Sequence, residues 1–239
     1  MKHGDSGRRR DQLQGKCLMN LFSTGILLSG GLDSCILLAQ LLDQGRTVQP
    51  FYVRSDLGWE VCELASIRKF LAAFACPRLL PLVELAMPVK DLYGDHWSIS
   101  GEDAPGYDSA DTDVFLPGRN ALLAIKAALW CQLHALPELH LATLKGNPFA
   151  DASDAFFDHF HGVLDRTGDA RVRIVRPFAQ LSKCEVMRLG SRYPLEFTFS
   201  CIAPRQCLHC GACNKCSERQ KAFADLGFDP TRYALATNR

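Results

Sequence analysis

Ser23-Thr24-Gly25-Ile26-Leu27-Leu28-Ser29-Gly30-Gly31-Leu32-Asp33-Ser34 is the stretch that decides the fold. It opens as a short apolar run and passes directly into Ser-Gly-Gly, the pattern of a buried strand entering a glycine turn. Asp33 or Ser34 is placed to cap a helix over residues 36–45, which Gly45 ends. Two glycines allow backbone N–H groups to close on a phosphate, and a helix N-terminus adds partial positive charge. The hydroxyls of Ser29 and Ser34 add donors. The turn lacks the lysine of G-x-x-x-x-G-K-[ST] and is not G-x-G-x-x-G, so neither common phosphate fingerprint describes it.

Outward from that turn, residues 47–53 read as a second strand. Residues 59–74 carry Val61, Leu64, Ala65, Ile67, Phe70, Leu71 and Phe74 at helical spacing, which predicts an amphipathic helix. A third strand over 78–85 completes β-α-β-α-β, the order of a doubly wound parallel α/β sheet. Residues 88–117 are dense in Pro, Gly and Asp and predict a long loop or insertion. Beyond it the spacing predicts a helix over 120–134, a strand over 138–144, a loop over 146–154 and a helix over 155–164. A strand over 171–175, a serine-capped helix over 182–192 and a short helix over 217–226 follow.

The chain has 239 residues, 47% hydrophobic, enough for one large domain, or one domain with a small module. Its net charge of +1 spreads over no long basic stretch, which speaks against a nucleic-acid coat. No apolar run approaches the roughly 20 residues of a bilayer span, and the polar start has no signal-peptide form. A cytoplasmic protein with no membrane partner is the expectation.

Of eleven cysteines, five crowd between Cys201 and Cys216, which without an export signal reads as metal binding. Cys210-Gly-Ala-Cys213-Asn-Lys-Cys216 supplies three ligands of a tetrahedral site. The fourth is Cys201, Cys207 or His209, and spacing alone favours Cys207. An iron–sulfur cluster is the rival, but the x₃-C-P ending of the ferredoxin run is missing.

The full SGGLDS string in the first strand-to-helix turn resembles the PP-loop ATP pyrophosphatases, a group with an adenine nucleotide α-hydrolase-like fold. Thr198-Phe199-Ser200-Cys201 followed by CGACNKC resembles the C-terminal zinc module of the 7-cyano-7-deazaguanine synthase family. Leu116-Pro117-Gly118-Arg119-Asn120, Pro177-Phe178 with Ser182-Lys183, Glu218-Arg219 and Asp229-Pro230-Thr231-Arg232-Tyr233 match it in order and spacing. The likeness runs from about Thr24 to Tyr233.

The polar start reads as a disordered lead-in over 1–20, and the resemblance implies a PP-loop ATP-binding domain over 21–194 and a zinc module over 195–239. It implies Zn2+ on Cys201, Cys210, Cys213 and Cys216, leaving Cys207 spare. ATP is expected on Leu28, Ser29, Gly30, Gly31, Leu32, Asp33, Ser34 and Arg54, with Asp33 positioning Mg2+ or phosphates. Arg119 and Lys183 are the candidates for stabilising charge on pyrophosphate, beside Asp33 as catalytic residues.

The implied reaction adenylates 7-carboxy-7-deazaguanine, adds ammonia to form an amide, adenylates again and dehydrates to the nitrile. A homodimer is the expected assembly. Where the family carries Gly-Tyr-Pro-Asp-Cys-Arg against the deazapurine, this chain has Pro148-Phe149-Ala150-Asp151-Ala152-Ser153. Asp151 is then the expected acceptor for the ring N–H edge, Phe149 the stacking ring and Asn120 a further substrate contact. That rewritten loop motivates an alternative: a paralogous ligase passing an adenylated acid to another amine or to a protein.

Overall fold

The computed structural model describes residues 23–235; the lead-in expected over 1–20 lies outside the described residues. Strand β1 (Ser23–Leu27) is central, flanked by β2 (Thr47–Arg54) and β4 (Glu138–His140). Strands β3 (Val83–Ala86) and β5 (Arg173–Val175) lie outside them, giving the order β3-β2-β1-β4-β5 with every pairing parallel. The expected doubly wound α/β sheet is what forms. Connections leave β1 toward β2 on one side, while β4 lies on the other, so the switch point opens above β1, beside the glycine turn.

Helix α1 (Leu32–Asp43) and α2 (Glu60–Ala73) cover one face of the sheet. Helix α7 (Lys183–Gly190) and α8 (Asn214–Ala224) pack there too, burying Ile36, Leu38, Ile67, Phe70, Val186, Met187 and Phe223. Short α3 (Lys90–Tyr93) and α4 (Trp97–Ser100) lie in the 88–117 insertion. Helix α5 (Arg119–Leu133) and α6 (Asp154–Leu164) cover the opposite face, with Ala124, Ala127, Ala128 and Cys131 against Phe51 and Leu139. Small side chains on α5 let the helix sit close to the sheet.

Several expected boundaries move. Asp33 and Ser34 lie inside the first turn of α1, and Gly31 takes the capping position without a side-chain bond. The third strand begins at Val83 because Pro81 has no N–H to give the ladder; residues 78–80 touch β2 only through Val48. Strand β4 ends at His140, after which the chain leaves the sheet and runs over the site. Val61 and Ala65, assigned to the apolar face of α2, are exposed, whereas Glu60 and Glu63 are buried. The last helix starts at Asn214 rather than 217.

The cysteine-rich segment is fastened at several places. Arg219, 1% exposed, donates from Nε to Thr231 Oγ1 at 2.7 Å and from Nη2 to Thr198 Oγ1 at 2.9 Å. Cys201, Cys210, Cys213 and Cys216 share a core cluster with Leu57, Trp59, Val114 and Leu116, tying the segment to the insertion. Cys207, expected to be spare, is joined to Cys62 of α2 in a disulfide, with their Cα atoms 5.0 Å apart. Among the described residues no helix is long and apolar enough to cross a membrane.

Gly190 marks the closest helix approach on the α1 face. A Cβ there would stand 2.4 Å from Ile36 Cδ1 and 2.5 Å from Cγ1, and Ile36 is fully buried. Gly190→Ala is therefore expected to destabilise the fold by about 1–3 kcal/mol through overpacking. Urea unfolding of the variant beside the wild type measures it; an unchanged midpoint would mean that α7 shifts freely.

Candidate active site

Ser29, Gly31, Asp33 and Ser34 line a cavity of about 470 Å3 at the carboxyl ends of β1, β2 and β4. The turn is internally braced. Ser34 Oγ accepts from the Ser29 N–H at 3.3 Å and donates to the Gly31 carbonyl at 3.2 Å. Gly30 adopts φ +79°, the left-handed region that favours glycine, and a Cβ there would press on Ile67 at 3.0 Å. From the cysteine segment, the Phe199 N–H donates to the Gly30 carbonyl at 2.7 Å, so that segment also holds the turn.

Lys183, first residue of α7, enters the cavity behind a capping box made by Ser182 and Glu185. Its Nζ donates to Asp33 Oδ1 at 2.9 Å and Oδ2 at 2.8 Å and lies 3.3 Å from Glu218 Oε1. Lys215 Nζ donates to the other Glu218 oxygen at 2.6 Å. Burial pushes the Glu218 carboxyl up, but Lys183 and then Lys215 outweigh it and hold it down to about 2. Burial likewise works against the Lys183 ammonium, and the pull of Asp33 and Glu218 leaves it raised. Asp33, Arg119 and Lys183, named from sequence, thus share one cavity.

The wall beside β2 was not foreseen. Glu63 of α2, 7% exposed, accepts from Tyr52 Oη at 2.6 Å and from Trp59 Nε1 at 3.0 Å. Burial raises its carboxyl to about 7, against the opposing effect of Arg119 across the cavity. The available signal was an acid at 63 in register with Ile67 and Phe70, an interruption of the apolar stripe. Lys215 and Glu218, one turn apart on α8, were also missed as cavity residues.

Other expected residues go elsewhere. Arg54 is half exposed, donates from Nε to Glu60 at 2.9 Å and is not among the residues lining the cavity. Asp151 turns to the start of α5, where it accepts from the Asn120 N–H at 3.2 Å and from Asn120 Nδ2 at 3.1 Å. It acts as a cap for a helix not its own, because the first N–H groups of α5 need acceptors. Asn120 itself does line the cavity, as does Phe149, whose ring stacks on Phe115 with centroids 5.1 Å apart.

The sulfurs of Cys201, Cys210, Cys213 and Cys216 lie within 4.8 Å of one another, all four buried. Cys201 to Cys213 and Cys210 to Cys216 are each 3.8 Å between sulfurs. Tetrahedral zinc with bonds of about 2.3 Å requires sulfurs about 3.8 Å apart, so the donor set fits. The N–H groups of Cys210, Gly211 and Ala212 point at Cys201, Cys216 and Cys210 sulfurs at 3.2, 3.4 and 3.3 Å, the support a thiolate needs. Cys207 is excluded by its disulfide, and His209 Nε2 accepts from the Ser200 N–H at 3.3 Å.

This glycine turn on a parallel sheet, with a lysine–aspartate pair at its mouth, defines a PP-loop α/β nucleotide-binding fold of the adenine nucleotide α-hydrolase-like class. A solved structure titled as a predicted subunit of tRNA methyltransferase from Methanocaldococcus jannaschii has that fold, with a TM-score of 0.50 and 11% identity over 91% of this chain and 94% of that one. The profile of the family described as queuosine biosynthesis protein QueC matches residues 24–227, and the chain belongs to that family. Relatives named 7-cyano-7-deazaguanine synthase include those of Methanococcus aeolicus, 26% identical over 87% of this chain and 98% of that protein, and Desulfotalea psychrophila, 29% identical over 88% and 98%.

The four-sulfur cluster carries its own test. Purified wild type is expected to hold about one metal ion per chain, and Cys213→Ser close to none with a lowered melting temperature, since such a site contributes directly to folding. Elemental analysis measures it; full metal content in Cys213→Ser would refute the ligand set.

Proposed function

We propose that the chain uses ATP to convert 7-carboxy-7-deazaguanine and ammonia into 7-cyano-7-deazaguanine. The observation that carries this reading is the Lys183 ammonium held between Asp33 of the glycine turn and Glu218 inside the 470 Å3 cavity. Family membership supports it, as do the relatives bearing that name.

Bound ATP supplies AMP to the substrate's carboxyl oxygen, and later to its amide oxygen, with pyrophosphate leaving each time. Ammonia displaces the first AMP to form the amide, and loss of the second leaves the nitrile. In this reading the turn at Ser29–Ser34 and the N-terminus of α1 receive the phosphates. Lys183 and Arg119 offset charge on the departing pyrophosphate. Asp33, next to Lys183, is the candidate to position Mg2+.

The ring-binding end is supported by Phe149, which lines the cavity and whose ring stacks on Phe115. Zn2+ is the metal that the four-sulfur geometry fits. Its role is structural: it closes the segment that presents Phe199 to Gly30 and sets the start of α8, from which Lys215 and Glu218 reach the cavity.

Incubation with ATP, Mg2+, ammonia and the carboxylic acid is expected to give AMP and the nitrile by mass spectrometry. Lys183→Ala and Asp33→Ala are each expected to lower kcat by about 10²–10³-fold with metal content and a cooperative melt retained, at a lowered melting temperature because each removes one partner of a partly buried charge pair. Wild-type rates in both variants would rule out this phosphate site. AMP release only with a different amine or a protein acceptor would overturn the product.

A further inference from the structure

The two sides of the cavity differ in chemistry. Toward β4 and α8 the wall carries Lys145, Lys183 and Lys215 with Asn147 and Phe149, a setting for anions and a flat ring. Toward β2 it carries Tyr52, Glu60 and Glu63 with Leu57, and Arg119 is near enough to act on Glu63 and Tyr52. A part of the ligand that donates hydrogen bonds fits the two acids there.

Glu63 is prepared for such a donor. Its two oxygens each accept one bond, from Tyr52 Oη and Trp59 Nε1, and both donors sit on rigid elements at the end of β2 and the start of α2. A carboxylate accepts about four bonds in all, so roughly two places remain. A buried carboxylate is costly unless its acceptors are filled. Arg119 acts on it through space, with no ion pair joining them among the described residues. Glu63 also stands next to the phosphate turn: its carbonyl oxygen is 3.5 Å from where a Cβ on Gly30 would be.

With phosphates on the turn, the sugar is the next part of the nucleotide, within reach of the β2 wall of the same cavity. In the dinucleotide-binding doubly wound fold, whose glycine turn is of another type, an acid downstream of that turn hydrogen-bonds the ribose 2′-hydroxyl, and Glu63 offers the same kind of acceptor here. We propose that Glu63, oriented by Tyr52 and Trp59, accepts hydrogen bonds from the ribose hydroxyls of ATP and sets the enzyme's preference for a ribonucleotide. This rests on the ATP reading given under Proposed function, and goes beyond it by assigning the sugar subsite.

The test is calorimetric titration of the metal-loaded full chain with ATP, 2′-deoxy-ATP and 3′-deoxy-ATP, in Mg2+ and without acid or ammonia. The wild type is expected to bind at least one deoxy analogue about tenfold or more weaker than ATP, because a buried acceptor is left without its donor. Glu63→Gln, which keeps the volume, is expected to narrow that gap, and Tyr52→Phe to narrow it partly, with melting temperatures and metal content as checks on folding. Equal binding of all three nucleotides by the wild type would overturn the proposal without any variant. So would full discrimination in folded Glu63→Gln. If, in a separate titration with the deazapurine acid, Glu63→Gln weakens that acid while ATP binding stays untouched, the carboxylate reads the ring's N–H edge, and the ribose assignment is wrong. Absence of any ATP binding would remove the nucleotide reading itself. Ribose discrimination without nitrile formation would refute the proposed product and leave this subsite standing.

Discussion

The ammonium of Lys183, within 3.3 Å of carboxylate oxygens from both Asp33 and Glu218, is the interaction on which the site depends. It joins the first turns of α1 and α7 to the second turn of α8 at the mouth of the glycine turn. Without that cation, two carboxylates would face each other in a partly buried place, where like charges strongly disfavour joint ionisation. Burial alone would push Lys183 toward losing its proton, and the two acids reverse that tendency. The cation is therefore kept charged and kept in place, beside the turn where the phosphates of a nucleotide would lie.

The cysteine segment serves this arrangement from a distance. It starts at Phe199, which donates to the Gly30 carbonyl, and ends in α8, which presents Lys215 and Glu218 to the cavity. Arg219 fastens it to Thr198 and Thr231. The Cys62–Cys207 disulfide ties it to α2, the helix that carries Glu60 and Glu63. Both walls of the cavity are thus anchored to one small cluster of sulfurs. A metal held by those sulfurs would therefore act on the cavity without lying in it.

The comparison of particular residues separates what was legible from what was not. The strand, the glycine turn and α1 were readable because each signal is local: an apolar run, two glycines, then a periodic helix. Cys210, Cys213 and Cys216 were readable for the same reason, being ligands one turn apart. Between Cys201 and Cys207 spacing favoured the wrong residue, since the chain folds back between 201 and 210 and Cys207 meets Cys62 instead. Asp151 looked like a substrate acceptor, but it sits against Asn120, 31 residues earlier, and satisfies the start of α5. Beyond interrupting an apolar stripe, Glu63 carries no sign in its own neighbourhood of a role at the site, and only the approach of Tyr52 and Trp59 makes it a buried acceptor.

By itself the sequence determined the doubly wound order, the glycine turn and a cysteine cluster suited to a metal, because these follow from backbone preferences and ligand types over short spans. Tertiary structure alone decided which acids face the cavity, which cysteines pair and which cation meets Asp33. Those outcomes join residues as far apart as 150 positions, and their energies depend on burial and on charges brought in by other elements. A local pattern carries no record of either.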